Sequence, residues 1–196
     1  MPIDINNLPI GTLITTHGDG RPLSHWPWSK SFWEELGKDL LYQQIRGYQK
    51  DLGYVKYDAT HVRVAFYPGY FLEATLPKVT EPKPISELSG KRVGICVPTK
   101  PFDTNEAIQW WRSWIGTKYD IAELADFALS RLLRAFPFKG RLGVLDRVDR
   151  FVCSTYGVGG LNAGGFPFDM PWDSIPPAYM ENKSQLFRVT YYTVPT

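Results

Sequence analysis

Residues 60–74 read Thr60-His61-Val62-Arg63-Val64-Ala65-Phe66-Tyr67-Pro68-Gly69-Tyr70-Phe71-Leu72-Glu73-Ala74, and this stretch predicts a β-hairpin. Positions 61–66 and 70–76 alternate between polar and apolar residues or run apolar, as strands do. The tripeptide between them, 67–69, has the residue types of a tight turn. We therefore expect two adjacent antiparallel strands, the first beginning near His61 and the second carrying Glu73.

The register of this hairpin decides whether His61 and Glu73 share a face of the sheet. Successive side chains of a strand point to opposite faces, so a shift of one residue moves Glu73 from one face to the other. If Tyr67 pairs with Tyr70 and the ladder continues without interruption, Glu73 lies opposite Val64 and away from His61. A β-bulge or a different loop register would bring the two together, and the sequence leaves both arrangements open.

A cysteine at the start of a predicted short helix is the second informative feature. Cys153 lies in Phe151-Val152-Cys153-Ser154-Thr155-Tyr156, and we expect the helix to end at the glycines that follow, 157, 159, 160, 164 and 165. A helix amino terminus and a nearby imidazolium lower a thiol pKa from about 8.5 to about 3.5–7.5. The other cysteine, Cys96, lies in an apolar strand-like run at 93–97 and is predicted to be a buried free thiol.

These two features combine into the hypothesis of a hydrolase that uses Cys153, His61 and Glu73. A thiolate is the nucleophile, an imidazole moves the proton, and a carboxylate fixes the tautomer of the imidazole. Backbone N–H groups at the start of the Cys153 helix would form part of an oxyanion hole.

Other parts of the chain predict further strands and helices. Strands are expected at 8–16, 91–97 and 185–194, and the proline-rich segment 79–89 is expected to cross the surface. Amphipathic helices are expected from Ser31 to about Gly47, from Asp103 or Thr104 to Gly116, and from Asp120 to Pro137.

Composition excludes several classes of function. The chain has 196 residues, of which 43% are hydrophobic and 21% charged, as in one globular domain. A net charge of +2 is far from the strongly basic surface of a nucleic-acid-binding protein, so no nucleic-acid partner is expected. The sequence contains neither a signal-peptide pattern nor an apolar run of membrane-spanning length. We expect a cytoplasmic protein, or one delivered by a route other than Sec export, such as a phage or a specialised secretion machine.

The order of these motifs resembles a branch of the NlpC-type papain-like cysteine peptidases and amidases. In that family a histidine strand, here His61-Val62-Arg63-Val64, is followed by a strand like Glu73-Ala74. The common members place the Cys helix first, whereas Cys153 comes last here, as in the circularly permuted branch typified by YiiX, YebB and YaeF. That branch also has an opening strand like 11–14 and a Gly-x-x-Tyr-Asp segment, matched by residues 116–120. The resemblance spans Gly11 to Tyr156. It departs at Thr155, where the branch often has Glu.

The resemblance implies an α+β, papain-like fold, in which a small antiparallel sheet packs against helices. It implies Cys153 as nucleophile, His61 as base and Glu73 as the residue that orients His61. Tyr119 and Ser154 are assigned to the substrate and oxyanion contacts. The implied substrates are cell-wall peptides or lipid-like acyl amides and esters. Residues 1–196 are expected to form one domain with an inserted aromatic and helical segment at about 17–58, a lid or added wall that carries Trp26, Trp28 and Trp33.

Three other features of the sequence concern metal, partner and membrane binding. The three histidines, His17, His25 and His61, lack the spacing of a zinc site, and we expect neither a metal nor a cofactor. A non-catalytic binding or scaffold module of the same fold, within a virion or a larger assembly, is the alternative function. The basic residues near Arg131 and Arg134 would suit peripheral contact with a membrane, although a solvated face is the simpler interpretation. The sequence does not determine the oligomeric state.

Overall fold

The structure is a computed structural model that describes residues 4–17, 43, 45–56, 58–75, 77–119 and 152–196. Several predictions fall outside these residues: most of the 17–58 insertion with its three tryptophans, the third histidine at position 25, the helix predicted at 120–137, and the basic residues Arg131 and Arg134.

One antiparallel sheet organises the described part of the chain. Its six strands follow the order β4-β3-β2-β1-β5-β6, and every neighbouring pair is antiparallel. The strands are β1 (Leu13–His17), β2 (Ala59–Tyr67), β3 (Tyr70–Leu72), β4 (Lys83–Pro84), β5 (Arg92–Pro98) and β6 (Phe187–Thr193). The predicted hairpin is confirmed, but its second strand, predicted over 70–76, ends at Leu72, just before Glu73. The strands predicted at 91–97 and 185–194 are confirmed, and the first strand begins at Leu13, after a 3-10 turn at Ile5–Asn7.

Helices cover one face of this sheet. They are α1 (45–51), α2 (Thr104–Ser113), α3 (Cys153–Ala163) and α4 (Tyr179–Asn182), with a 3-10 turn at Trp172–Ser174. Helix α2 begins where the sequence predicts, because the carboxylate of Asp103 accepts from the N–H groups of Asn105 and Glu106 at 2.8 and 3.1 Å. The fold is therefore of the α+β class.

The alternation along β1 and β2 divides the core into two layers. Leu13, Val62 and Val64 face α2 and α3, and Trp111 and Leu161 complete that layer. The opposite face buries a second cluster, made by Ile14, Ala65, Phe71, Val93 and Ile95 with the two 3-10 turns at Ile5–Asn7 and Ile85–Leu88. Both layers are apolar because each strand presents one set of side chains to each face.

Three glycines that were expected to end the Cys153 helix lie inside it instead. Helix α3 runs through Gly157, Gly159 and Gly160 and ends only at Gly164. A Cβ at Gly160 would stand 2.2 Å from Cε2 of Trp111, and one at Gly159 would stand 2.2 Å from Cη2 of Trp110. These glycines are needed because α2 packs closely against α3, and that close contact outweighs their poor helix propensity.

Two further expectations are corrected by the structure. Helix α1 continues through Gly47 to residue 51, and the turn after it contains Gly53 at φ +80°, a conformation that glycine adopts without strain. The segment 79–89 does not only cross the surface: it contributes β4 at the sheet edge, where Pro84 is tolerated, and buries Ile85 and Leu88.

Within the described ranges, no helix has the length and apolar character needed to cross a bilayer.

Candidate active site

A bulge in the hairpin places Glu73 on the same face of the sheet as His61. Tyr67 pairs with Tyr70, but the register shifts between Tyr67 and Ala65, so that Ala65 pairs with Phe71 and Val64 with Leu72. Continuing this shifted register sets Glu73 opposite Arg63, two residues along the strand from His61, rather than opposite Val64. Of the two arrangements that the sequence leaves open, the structure has the bulged one.

The imidazole of His61 and the carboxylate of Glu73 form a direct hydrogen bond. The distance from His61 Nε2 to Glu73 Oε2 is 2.8 Å, and both side chains are largely buried, with exposed fractions of 15% and 7%. His61 also interacts with Cys153, whose charge and hydrogen bond raise the pKa of the imidazole. Glu73 and Cys153 therefore act on the same ring.

Two cations stabilise the charge of Glu73. Lys83 Nζ donates to Oε1 at 2.9 Å, and Arg63 Nε lies 2.8 Å from Oε2 in a geometry that makes it a charge contact rather than a hydrogen bond. Burial raises the pKa of Glu73, but the hydrogen bond and charge of His61, with Arg63 and Lys83, outweigh it and hold this pKa well below its usual range. Glu73 is thus a fixed negative charge beside the imidazole.

Cys153 is the first residue of α3, with Val152 as the capping residue. Thr155 fixes this helix start, since its Oγ1 accepts from the N–H of Val152 and donates to its carbonyl oxygen, both at 3.1 Å. The residue that departs from the permuted branch therefore has a capping role here. The sulfur lies at the positive end of the helix dipole.

Three donors surround the sulfur of Cys153. They are the His61 imidazole, the backbone N–H of Val62 and the hydroxyl of Tyr119. The thiol is 4% exposed, and this burial raises its pKa, but the charge and hydrogen bond of His61 with the other two donors outweigh burial and lower it. The pKa of His61 moves the other way: burial lowers it, and the negative sulfur more than compensates. The arrangement favours a thiolate–imidazolium pair.

The two residues assigned to substrate contacts lie beside the same thiol. Tyr119 is buried and bonds the sulfur, and Ser154 lines a small apolar pocket together with Cys153. The first backbone hydrogen bond of α3 runs from the N–H of Tyr156 to Val152, so the N–H groups of Cys153 and Ser154 have no partner inside the helix. These groups are the donors that an oxyanion would meet.

Sequence reasoning missed several contributors to this site. Neither Arg63 nor Lys83 belongs to a motif. Strand alternation could have identified Arg63, because it lies two residues after His61 and therefore on the same face of the sheet. The pocket beside Cys153 is lined by residues far apart in the sequence, for which no local pattern exists: Ile45, Tyr48, Val152, Pro176 and Pro177.

The remaining thiol and the second described histidine do not join this site. Cys96 is fully buried in β5, and burial raises its pKa far above that of a free thiol. His17 bonds Glu181 at 3.1 Å instead of approaching His61. Among the described residues, no group of three or more His, Cys, Asp or Glu side chains is arranged to hold a metal ion.

Comparison of the chain with protein-family models, with curated proteins and with solved structures gives no match. Function is therefore inferred from the geometry of the site.

Proposed function

We propose that this chain is a cysteine hydrolase of the papain-like α+β type, with its elements in the circularly permuted order. The observation that carries this proposal is the continuous contact from Glu73 through His61 to Cys153 at the amino terminus of α3. A buried thiol without a chemical role has no need of an imidazole, a hydroxyl and a backbone N–H around its sulfur. In this chain all three converge on Cys153.

The reaction is transfer of an acyl group to water. The Cys153 thiolate attacks the carbonyl carbon of an amide or ester, a C–S bond forms, and the oxyanion is bonded by the N–H groups at the start of α3. The imidazolium of His61 gives its proton to the leaving nitrogen or oxygen as the C–N or C–O bond breaks. Water, deprotonated by His61, then hydrolyses the thioester and regenerates the thiolate. Glu73 keeps His61 oriented through both steps.

The pocket next to the thiol is small and apolar. Its volume is about 20 Å³, room for a group about the size of one water molecule, and its walls are side chains of Ile45, Tyr48, Pro176 and Pro177. It therefore accepts at most a methyl-sized part of a substrate, and an amide group there would lose hydrogen bonds to water without replacement. On that ground we rank lipid-like acyl amides and esters ahead of cell-wall peptides.

Intact-protein mass spectrometry with a panel of substrates tests the proposal. The panel contains 4-nitrophenyl esters and anilides of acyl chains of increasing length, with a cell-wall tetrapeptide beside them. We expect turnover of acyl substrates and a transient adduct of acyl mass on Cys153 in the parent and in Cys96→Ser. Cys153→Ala should have neither. Loss of turnover in Cys96→Ser with an adduct retained in Cys153→Ala would contradict the assignment, and turnover of the tetrapeptide alone would reverse the substrate ranking.

A further inference from the structure

A second cleft, with a volume of about 530 Å³, opens at the sheet end where β1 finishes and β5 begins. We call it the basic cleft and define it by six of its lining residues: His17, Arg46, Lys56, Arg92, Glu181 and Tyr191. None of them lines the pocket beside Cys153. It is a separate site.

Glu181 lies at the base of the basic cleft, where its carboxylate accepts several hydrogen bonds. It is buried, and its carboxylate accepts from the hydroxyl of Thr15, from His17 Nε2 at 3.1 Å and from the hydroxyl of Tyr191 at 2.8 Å. Gly94 provides the space, because a Cβ there would stand 2.9 Å from Glu181 Oε1. Glu181 therefore positions His17 and Tyr191, and among the described residues its only ion pair is with His17.

Two cations of the basic cleft contact the same aromatic ring. Lys56 Nζ lies 5.1 Å and Arg92 Cζ lies 5.2 Å from the ring centre of Tyr191. In the described part of the chain, no carboxylate forms an ion pair with either cation. A cation–π contact stabilises a cation but does not neutralise its charge. A bound anion would provide the negative charge that Lys56 and Arg92 lack as a partner.

We propose that the basic cleft binds the phosphate group of a phosphate monoester. A phosphate monoester carries close to two negative charges at neutral pH, which Lys56 and Arg92 match, and Arg92 offers the planar fork that bonds phosphate oxygens in pairs. The cleft also contains one exposed carboxylate, Asp58, which would repel a second phosphate and accept a hydroxyl group. The ligand is therefore a monophosphate that carries a hydroxyl, rather than a polyphosphate.

This site lies on the face of the sheet that the helices cover, and helix α1 contributes Ile45 to the pocket beside Cys153 and Arg46 to the basic cleft. Thr16 pairs with His61 and accepts a hydrogen bond from Arg63, whereas its neighbours Thr15 and His17 contact Glu181. The inference concerns binding alone. It therefore holds or fails independently of the hydrolase proposal.

Calorimetric titration with inorganic phosphate, with sodium acetate at matched ionic strength as reference, tests the inference. We expect saturable binding of phosphate and none of acetate. Arg92→Gln and Lys56→Gln should each weaken phosphate binding by about tenfold, the effect of one charge-assisted hydrogen bond. Matched controls are Arg188→Gln, at the other end of the β5–β6 pair, and Lys50→Gln on α1; both residues are exposed, and both variants should bind phosphate as the parent does.

Absence of saturable phosphate binding, or an equal loss in Arg92→Gln and Arg188→Gln, would overturn the inference. So would a loss that tracks a lowered melting temperature of the unliganded variants. Two further probes distinguish the source of the phosphate. Competition by glycerol 3-phosphate indicates a small soluble ligand, whereas Arg92-dependent binding only to phosphatidylcholine vesicles that contain lysophosphatidic acid indicates a lipid headgroup.

Discussion

His61 Nε2 and Glu73 Oε2 lie 2.8 Å apart because the β2–β3 ladder shifts register between Ala65 and Tyr67. Without that shift, Glu73 would face the other side of the sheet. The carboxylate touches the imidazole and not the sulfur, so it acts on the thiol through His61. It is a positioning residue rather than a member of the reacting pair.

Glu73→Gln keeps the size of this side chain and removes its charge. An amide can hold the ring but stabilises imidazolium poorly, so we expect kcat to fall about 100-fold or more with little change in KM. The pH at which Cys153 becomes reactive should rise as well, which a purely structural defect would not produce. Steady-state kinetics and alkylation profiles measure both effects. Glu87→Gln, on an exposed carboxylate 3.8 Å from Lys83, is the control and should match the parent.

Tyr119→Phe removes one of the three donors to the sulfur and leaves the ring in place. The thiolate loses a charge-assisted hydrogen bond, so the pKa of Cys153 should rise and kcat/KM should fall about tenfold. Tyr67→Phe, an exposed tyrosine in the hairpin turn, is the matched control. A thiol pKa that stays at the parent value in Tyr119→Phe would remove Tyr119 from the site.

Acid should destabilise the protein through Glu73. Its pKa is lowered in the folded state, so the folded protein binds fewer protons than the unfolded chain, whose glutamate titrates near 4.3. The stabilisation is fully present above that pH and is lost as the pH falls through the lower pKa of the folded state. Melting temperatures from pH 7 to pH 3 should therefore decline less steeply in Glu73→Gln than in the parent. Parallel declines in the two proteins would contradict the assigned role of this charge.

Gly160→Ala tests why glycines lie inside α3. The added methyl group meets the indole of Trp111, and we expect a loss of about 1–3 kcal/mol in the free energy of unfolding from overpacking. This loss exceeds the gain in helix propensity of about 1 kcal/mol. Asn162→Ala, at an exposed position of the same helix, should leave stability unchanged or raise it. Urea denaturation compares the two, and a stabilised Gly160→Ala would mean that α2 does not pack this closely.

Local sequence signals predicted the parts of this protein that depend on local chemistry. Alternation from residue 60 to residue 74 gave the hairpin, the carboxylate of Asp103 gave the start of α2, and the position of Cys153 gave the start of α3. The bulge was not predictable in this way, because the alternation continues through it: Val64 and Phe66 belong to the layer on the helix face and Ala65 to the opposite layer. The pattern of β2 is therefore the same with and without the register shift.

The same limit applies to the rest of the site. His17 and Glu181 are 164 residues apart in sequence, and no periodicity relates them. The glycines of α3 were expected to end the helix because their propensity is poor, and only the tryptophans of α2 explain why the helix continues through them. The residues missed are those whose role depends on a distant partner.

The pH dependence of Cys153 alkylation by iodoacetamide tests the central claim most directly. The comparison is between the parent and His61→Ala. Both proteins also carry Cys96→Ser, so that alkylation measures the Cys153 thiol alone. A thiolate–imidazolium pair predicts an apparent pKa well below the free value of about 8.5 in the parent, and a clear rise toward that value in His61→Ala. A thiol that titrates at or above 8.5 in both proteins would contradict the ion pair and favour the non-catalytic scaffold.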